Sequence, residues 1–228
     1  MKIEYLVFNY LIVIFPLITT VLLKKVRLPH LRPATVAIAI SALLFIIFDN
    51  LVTGYFWVFN PAYILGIQIG NIPIEEALFF FTVPFSCLFL WANWKRRFGR
   101  DSSAITHIPS VLLAISLLGG INLFFVGKYY TASVFMMMFV TVLIDMYFKS
   151  KLFIRSYFLW YLCIINAFTF VFNLYLTARP IVIYNLGYKS GMMVYSIPIE
   201  DFVFGIALIS LTILIYERIS LHPSISNN

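Results

Sequence analysis

The chain has 228 residues, of which 62% are hydrophobic and only 11% charged, with a formal net charge of +7. Soluble globular domains carry about 45–50% apolar and roughly 25% charged residues, so an ordinary soluble domain, a coiled coil and a disordered chain are all excluded. What remains is a polytopic integral membrane protein, whose basic excess falls in short runs between apolar stretches instead of forming a nucleic-acid surface.

Seven apolar stretches predict membrane-crossing helices over 4–23, 34–52, 73–92, 108–126, 129–148, 157–177 and 197–217. Each approaches the ~20 residues that a bilayer requires. The first run is too long for a signal peptide and reaches Lys24 and Lys25 without a small-residue cleavage site, so it reads as a retained helix. Cys87 and Cys163 lie inside apolar runs, and His30, His107 and His222 are scattered, so neither a disulfide nor a metal site is expected.

Loop charge sets an orientation. One side receives twelve basic residues: Lys24, Lys25, Arg27, Arg32, Lys95, Arg96, Arg97, Arg100, Lys149, Lys151, Arg155 and Arg218. The other receives four: Lys2, Lys128, Arg179 and Lys189. The expectation is a cell (inner) membrane protein with its N-terminus outside and its C-terminus cytoplasmic. Two outer loops, 53–72 and 178–196, are nearly uncharged and rich in Tyr, Phe, Gly, Pro and Asn. Irregular backbone cannot face lipid, so these loops should lie in the interface or fold back over a cavity. Their rings Tyr55, Phe56, Trp57, Phe59, Tyr63, Tyr184 and Tyr195 are candidate cavity walls, because an aromatic face stabilises a cation. Taken singly, each ring reads better as an interfacial anchor than as a cavity wall.

The chain contains an internal repeat. Ile72-Pro73-Ile74-Glu75-Glu76 recurs 125 residues later as Ile197-Pro198-Ile199-Glu200-Asp201. At the same offset Asn60 matches Asn185, Gly66 matches Gly191 and Phe79 matches Phe204. At offset 124, Phe48-Asp49 matches Phe172-Asn173. A Pro-x-Glu-acid tetrad is expected by chance about 0.01 times in a chain of this composition, so two aligned copies argue for duplication. The expected organisation is a first three-helix repeat over 1–104, a linking helix over 105–127, and a second three-helix repeat with a short tail over 128–228. The extra helix restores the direction of the second copy, which makes the repeats parallel. Both acidic pairs should then share one membrane depth and converge on a cavity.

Pro73 and Pro198 suit the first turn of a helix. Glu75, Glu76, Glu200 and Asp201 follow near the positive end of the helix dipole. A single acid there would read as a cap. Two adjacent acids in each copy, placed after apolar loops, read as functional, since ionisable groups near the membrane interior are costly. Four crowded acids against apolar walls cannot all be ionised, so one can donate a proton while another accepts one. Asp49, late in the second helix, is a candidate to join them, although a solitary helix-end Asp is more often interfacial. No G-x-G-x-x-G follows a strand, and the paired aspartate clusters of magnesium–diphosphate chemistry are absent.

Two Pro-x-Glu-(Glu/Asp) copies, each opening a helix after an Asn/Gly/aromatic loop, resemble the lycopene cyclase domain of the small membrane-bound type. The resemblance covers nearly the whole chain and matches the fused form of a family whose two copies also occur as separate subunits. It implies an all-α, seven-helix membrane enzyme that closes the end rings of a carotenoid by acid-initiated, redox-neutral isomerisation. Carried over, it marks Pro73, Glu75, Glu76, Pro198, Glu200 and Asp201, with Asn60 and Asn185 as supporting residues. It implies no cofactor. The partners it implies are lycopene, membrane lipid and other carotenoid enzymes. Arg179, Lys189 and the match of Asp49 with Asn173 make the halves unequal. Glu75 and Glu200, identical in both copies, are the first candidates for acid and base, with Glu76 and Asp201 tuning or relaying protons. A proton-coupled transporter also uses repeats and intramembrane acids and is the alternative. A non-catalytic partner subunit is a third reading.

Overall fold

The computed structural model describes residues 2–22, 26–99 and 104–221; Lys24, Lys25, Arg100 and His222 lie outside them. Among the described residues are seven α-helices: α1 (Glu4–Leu22), α2 (Leu31–Val52), α3 (Ile74–Phe98), α4 (Ile108–Phe125), α5 (Tyr129–Tyr147), α6 (Ser156–Ala178) and α7 (Ile199–Leu221). All seven are long and apolar enough to cross a membrane. The expected spans match them closely, with three extensions: α2 starts three residues before 34, α3 continues past residue 92 to Phe98, and α7 continues past residue 217 to Leu221. Lys95, Arg96 and Arg97 occupy the last turn of α3, where the helix dipole favours cations.

The two uncharged loops are not irregular throughout. They contain six very short strands: β1 (Trp57–Phe59), β2 (Gln68–Ile69), β3 (Ile72–Pro73), β4 (Val182–Tyr184), β5 (Met193–Val194) and β6 (Ile197–Pro198). β2 pairs antiparallel with β3, and β5 with β6. Backbone polar groups with few polar side chains nearby must pair with one another, and these hairpins are how they do so.

The chain divides into two compact units, one comprising Met1–Thr53, Phe59–Arg100 and Leu211–Asn228, the other Gly54–Val58 and Asp101–Ser210. The units do not follow chain order, since residues 54–58 belong to the second and the latter half of α7 to the first.

In the first unit α1 and α2 both pack on α3. Pro16 lies inside α1 and cannot donate to the carbonyl of Ile12, four residues back. Ser86 of α3 donates to that carbonyl instead, at 2.8 Å. Asn9 ties the same two helices, donating to the Glu75 carbonyl at 3.0 Å and accepting from the Thr82 hydroxyl at 2.7 Å. Near the other end of α3, Glu217 accepts from the Trp91 indole at 2.8 Å and pairs with Lys95.

In the second unit α4 packs along α5. A Cβ on Gly119 would lie 2.8 Å from the Phe135 ring, and one on Gly120 would lie 2.4 Å from the Met136 methyl. Small residues thus let these helices approach, as membrane helix pairs commonly require. Asp145 closes the α5–α6 turn by accepting from the backbone N–H groups of Leu152 and Phe153 at 2.9 and 3.1 Å.

Candidate active site

Each acidic pair is placed by the hairpin before it. Proline biases the residue ahead of it away from helix, so Ile72 and Ile197 stay extended and the helices start at Ile74 and Ile199. Pro73 therefore stands at the cap position with ψ 153°, ending β3, one residue before the first turn expected for it. Pro198 likewise ends β6. The hairpin registers are related by the same 125-residue step, Gln68 with Pro73 and Met193 with Pro198. Gly66 and Gly191 both have positive φ, 89° and 92°, which glycine adopts without a Cβ penalty. Asn60 and Asn185 shape the turns upstream through side-chain oxygens that accept from the N–H of Ala62 and of Gly187, each at 3.0 Å.

All four acids are buried, with Glu75 at 0% exposure and Glu200 at 1%. Their hydrogen bonds repeat. Glu75 Oε1 accepts from the Leu65 N–H at 2.6 Å. Glu200 Oε1 accepts from the Ser190 N–H at 2.7 Å, ten residues upstream in each case, and also from the Thr131 hydroxyl at 2.6 Å. The second oxygen of both side chains, Oε2, is buried and has no hydrogen-bond partner among the described residues. A buried acceptor without a donor costs about 1–3 kcal/mol, and the same unpartnered oxygen occurs in both copies.

The second acid of each pair is held by a tyrosine. The Tyr5 hydroxyl of α1 donates to Glu76 Oε2, and the Tyr130 hydroxyl of α5 donates to Asp201 Oδ1 at 2.7 Å. Tyr5 and Tyr130 are themselves 125 residues apart. Their backbones repeat as well, with the Tyr5 N–H donating to the Tyr63 carbonyl at 3.2 Å and the Tyr130 N–H to the Tyr188 carbonyl at 3.0 Å. Asp201 is held further, by the Tyr184 hydroxyl at 2.7 Å and the Asn173 amide at 3.4 Å.

Of the expected wall residues, the structure gathers Trp57 and Tyr184 around the second pair. Trp57 is buried and lies edge-on to Tyr130 and Tyr184, with ring centroids 5.2 and 6.0 Å apart. Phe56 touches Tyr130 and Tyr188, both at 5.6 Å. Tyr63 contributes its backbone to the first unit, and Phe59 is half-buried at the end of β1. Tyr55 and Tyr195 are exposed, at 65% and 82%. Asp49 is buried at the end of α2, where its carbonyl accepts from the Thr53 N–H at 2.9 Å. Sequence reasoning missed Tyr5, Tyr130, Thr131 and the two backbone donors at 65 and 190. The tyrosines carried a usable signal, the common offset.

The arrangement defines a membrane protein with two buried, tyrosine-held acid pairs, each keeping one carboxyl oxygen open. The lycopene cyclase family description matches residues 3–94 and 127–219, one match on each repeat. No curated protein and no solved structure matches the chain. The chain belongs to the lycopene cyclase family. It is a carotenoid cyclase of the membrane, and its substrate is a lipid-soluble carotenoid.

Proposed function

We propose that the protein closes the end rings of lycopene by acid-initiated, redox-neutral isomerisation, with Glu75 and Glu200 supplying the acid–base chemistry. The carrying observation is the matched pair of buried Glu75 and Glu200 oxygens that accept no hydrogen bond. A carboxylic acid gives its proton to C2 of the terminal double bond, which leaves a cation at C1. The next double bond attacks C1, forms the C1–C6 bond and moves the cation to C5. A carboxylate then takes the C6 proton, and the electrons of that C–H bond restore a double bond in a β ring. One proton enters and one leaves, so no oxidant or reductant is consumed. Glu76 and Asp201, gripped by Tyr5 and Tyr130, tune or relay protons. Trp57 and Tyr184 present ring faces suited to the cation. The family match lends nothing to the transporter reading.

Solvent deuterium tests this chemistry. A carboxyl group exchanges with water before it protonates carbon, so purified protein in liposomes in deuterated water should place one non-exchangeable deuterium per ring at the former C2. This should occur with no nicotinamide or flavin added. Rings that close without deuterium would exclude Glu75 and Glu200 as solvent-exchanging acids.

We also propose that the N-terminus lies outside and the C-terminus in the cytoplasm of the cell (inner) membrane, on the loop-charge asymmetry. Reporter fusions after residues 28, 98 and 153 should read cytoplasmic, and those after 65 and 187 external. A cytoplasmic reading at 65 would reverse the orientation.

A further inference from the structure

The start of α5 holds both acids of the second pair with two consecutive residues. The Tyr130 hydroxyl donates to Asp201, and the Thr131 hydroxyl donates to Glu200 Oε1 at 2.6 Å. The Ser190 N–H reaches the same Glu200 oxygen at 2.7 Å. Thr131 is buried, at 3% exposure, and all of these groups belong to the second unit. In the 125-residue register Thr131 falls on Leu6, which has no hydroxyl to give. Glu75 Oε1 accordingly accepts from the Leu65 N–H alone among the described residues. The repeats thus agree in the phenol and the backbone donor and differ in one hydroxyl.

That hydroxyl changes how firmly the side chain is set. The terminal torsion of a glutamate is broad, and a single bond to one carboxyl oxygen leaves the group free to turn about it. Two donors on Glu200 Oε1, one from α5 and one from the loop before β5, restrict that turning and so fix Oε2, which is buried without a hydrogen-bond partner. Both bonds are as short as those made to ionised carboxylates, and donors on a carboxyl group favour its charged form. A group held in this way is suited to accept a proton at a defined point.

The point matters because ring closure leaves a choice. The cation at C5 has three kinds of neighbouring hydrogen. Loss from C6 turns that C–H electron pair into a C5=C6 double bond, the β ring. Loss from C4 gives C4=C5, and loss from the C5 methyl gives an exocyclic double bond. Each route releases one proton and consumes no oxidant or reductant, so the position of the accepting oxygen decides among them.

We propose that Thr131 is a positioning residue that fixes Glu200 Oε2 against the C6 hydrogen and so sets where the ring double bond forms. This inference rests on the acid–base reading of Glu200 above and holds whichever group protonates C2.

The test uses full-length protein in liposomes containing lycopene, with the ring isomers separated by chromatography and counted. Absorption tells them apart as well, because only the C5=C6 bond is conjugated with the polyene. The variants are Thr131→Val, Thr131→Ser and Glu200→Gln, each at matched membrane yield. If Thr131→Val does not accumulate in the membrane, Thr131→Ala replaces it with the same expectation. Valine keeps the shape of threonine and loses the hydroxyl, so the ratio of unconjugated to β rings should rise about tenfold over wild type. Thr131→Ser, which keeps the hydroxyl, should keep the wild-type ratio. A hydroxyl with a merely structural role would lower the total of rings and leave the ratio alone. An unchanged ratio in Thr131→Val, no rings at all from membrane-inserted Thr131→Val, or an equal shift in Thr131→Ser overturns the role of Thr131; an inactive Glu200→Gln in the same series leaves the acid–base reading standing. A fully active Glu200→Gln overturns that reading, and this inference with it.

Discussion

Glu75→Gln and Glu200→Gln each lower ring closure by roughly 10²–10⁴-fold, the range that a positioned acid or base contributes. Pigment analysis in lycopene-accumulating cells, normalised to membrane-inserted protein, measures the loss. Glutamine is the informative replacement because of how each glutamate is anchored. Its amide oxygen can still accept from the Leu65 or Ser190 N–H, so the loop-to-helix contact survives. The buried second oxygen becomes an amide nitrogen that cannot take up or deliver a proton under these conditions. Alanine would remove anchor and proton together and could not separate them. The contrast with helix capping is direct. A cap works through the carbonyl-like oxygen and tolerates glutamine, so full activity in either variant would return that glutamate to a structural role.

The helices and acids were legible because the membrane imposes a simple code. Long apolar runs, basic ends and a duplicated tetrad carry their meaning residue by residue. The loops were not, for physical reasons. A two-residue strand such as β2 or β5 has no periodicity to read. The hairpin turns differ in chemistry although their geometry matches, for Gly70 has φ 65° and its counterpart Tyr195 has φ 56°. A Cβ at 70 would also lie 2.1 Å from the Asn50 side-chain oxygen and displace it from the Asn71 N–H that it accepts from. Tyr195 instead turns its ring outward, which is why a residue that looked like a cavity wall is exposed. Leu65 and Ser190 share no side-chain chemistry; what is repeated is a backbone N–H, and that is invisible in a residue code. Tyr5 and Tyr130 start their helices, where tyrosine ordinarily reads as an interfacial anchor, and only the offset of 125 marks them as equivalent.

Tyr5→Phe and Tyr130→Phe should each reduce cyclisation by about tenfold to a hundredfold, following from a hydrogen bond to a charged group worth about 1.5–3 kcal/mol. Phenylalanine preserves the ring and its packing, including the contacts of Tyr5 with Phe8 and of Tyr130 with Trp57. Only the hydroxyl that holds Glu76 or Asp201 is removed. The two sites should respond differently to a further change. Asp201 keeps a second phenolic donor in Tyr184, so Tyr130→Phe alone should fall at the mild end of the range. Combining it with Tyr184→Phe strips both phenols from one buried acid and should exceed either single loss. A double-mutant cycle pairing Tyr5→Phe with Glu76→Gln measures the first contact directly. Coupling above about 1 kcal/mol supports a hydroxyl that grips the acid during the reaction. Additive losses would mean that the Tyr5 hydroxyl does not act through Glu76, and the grip would then carry no part of the reaction.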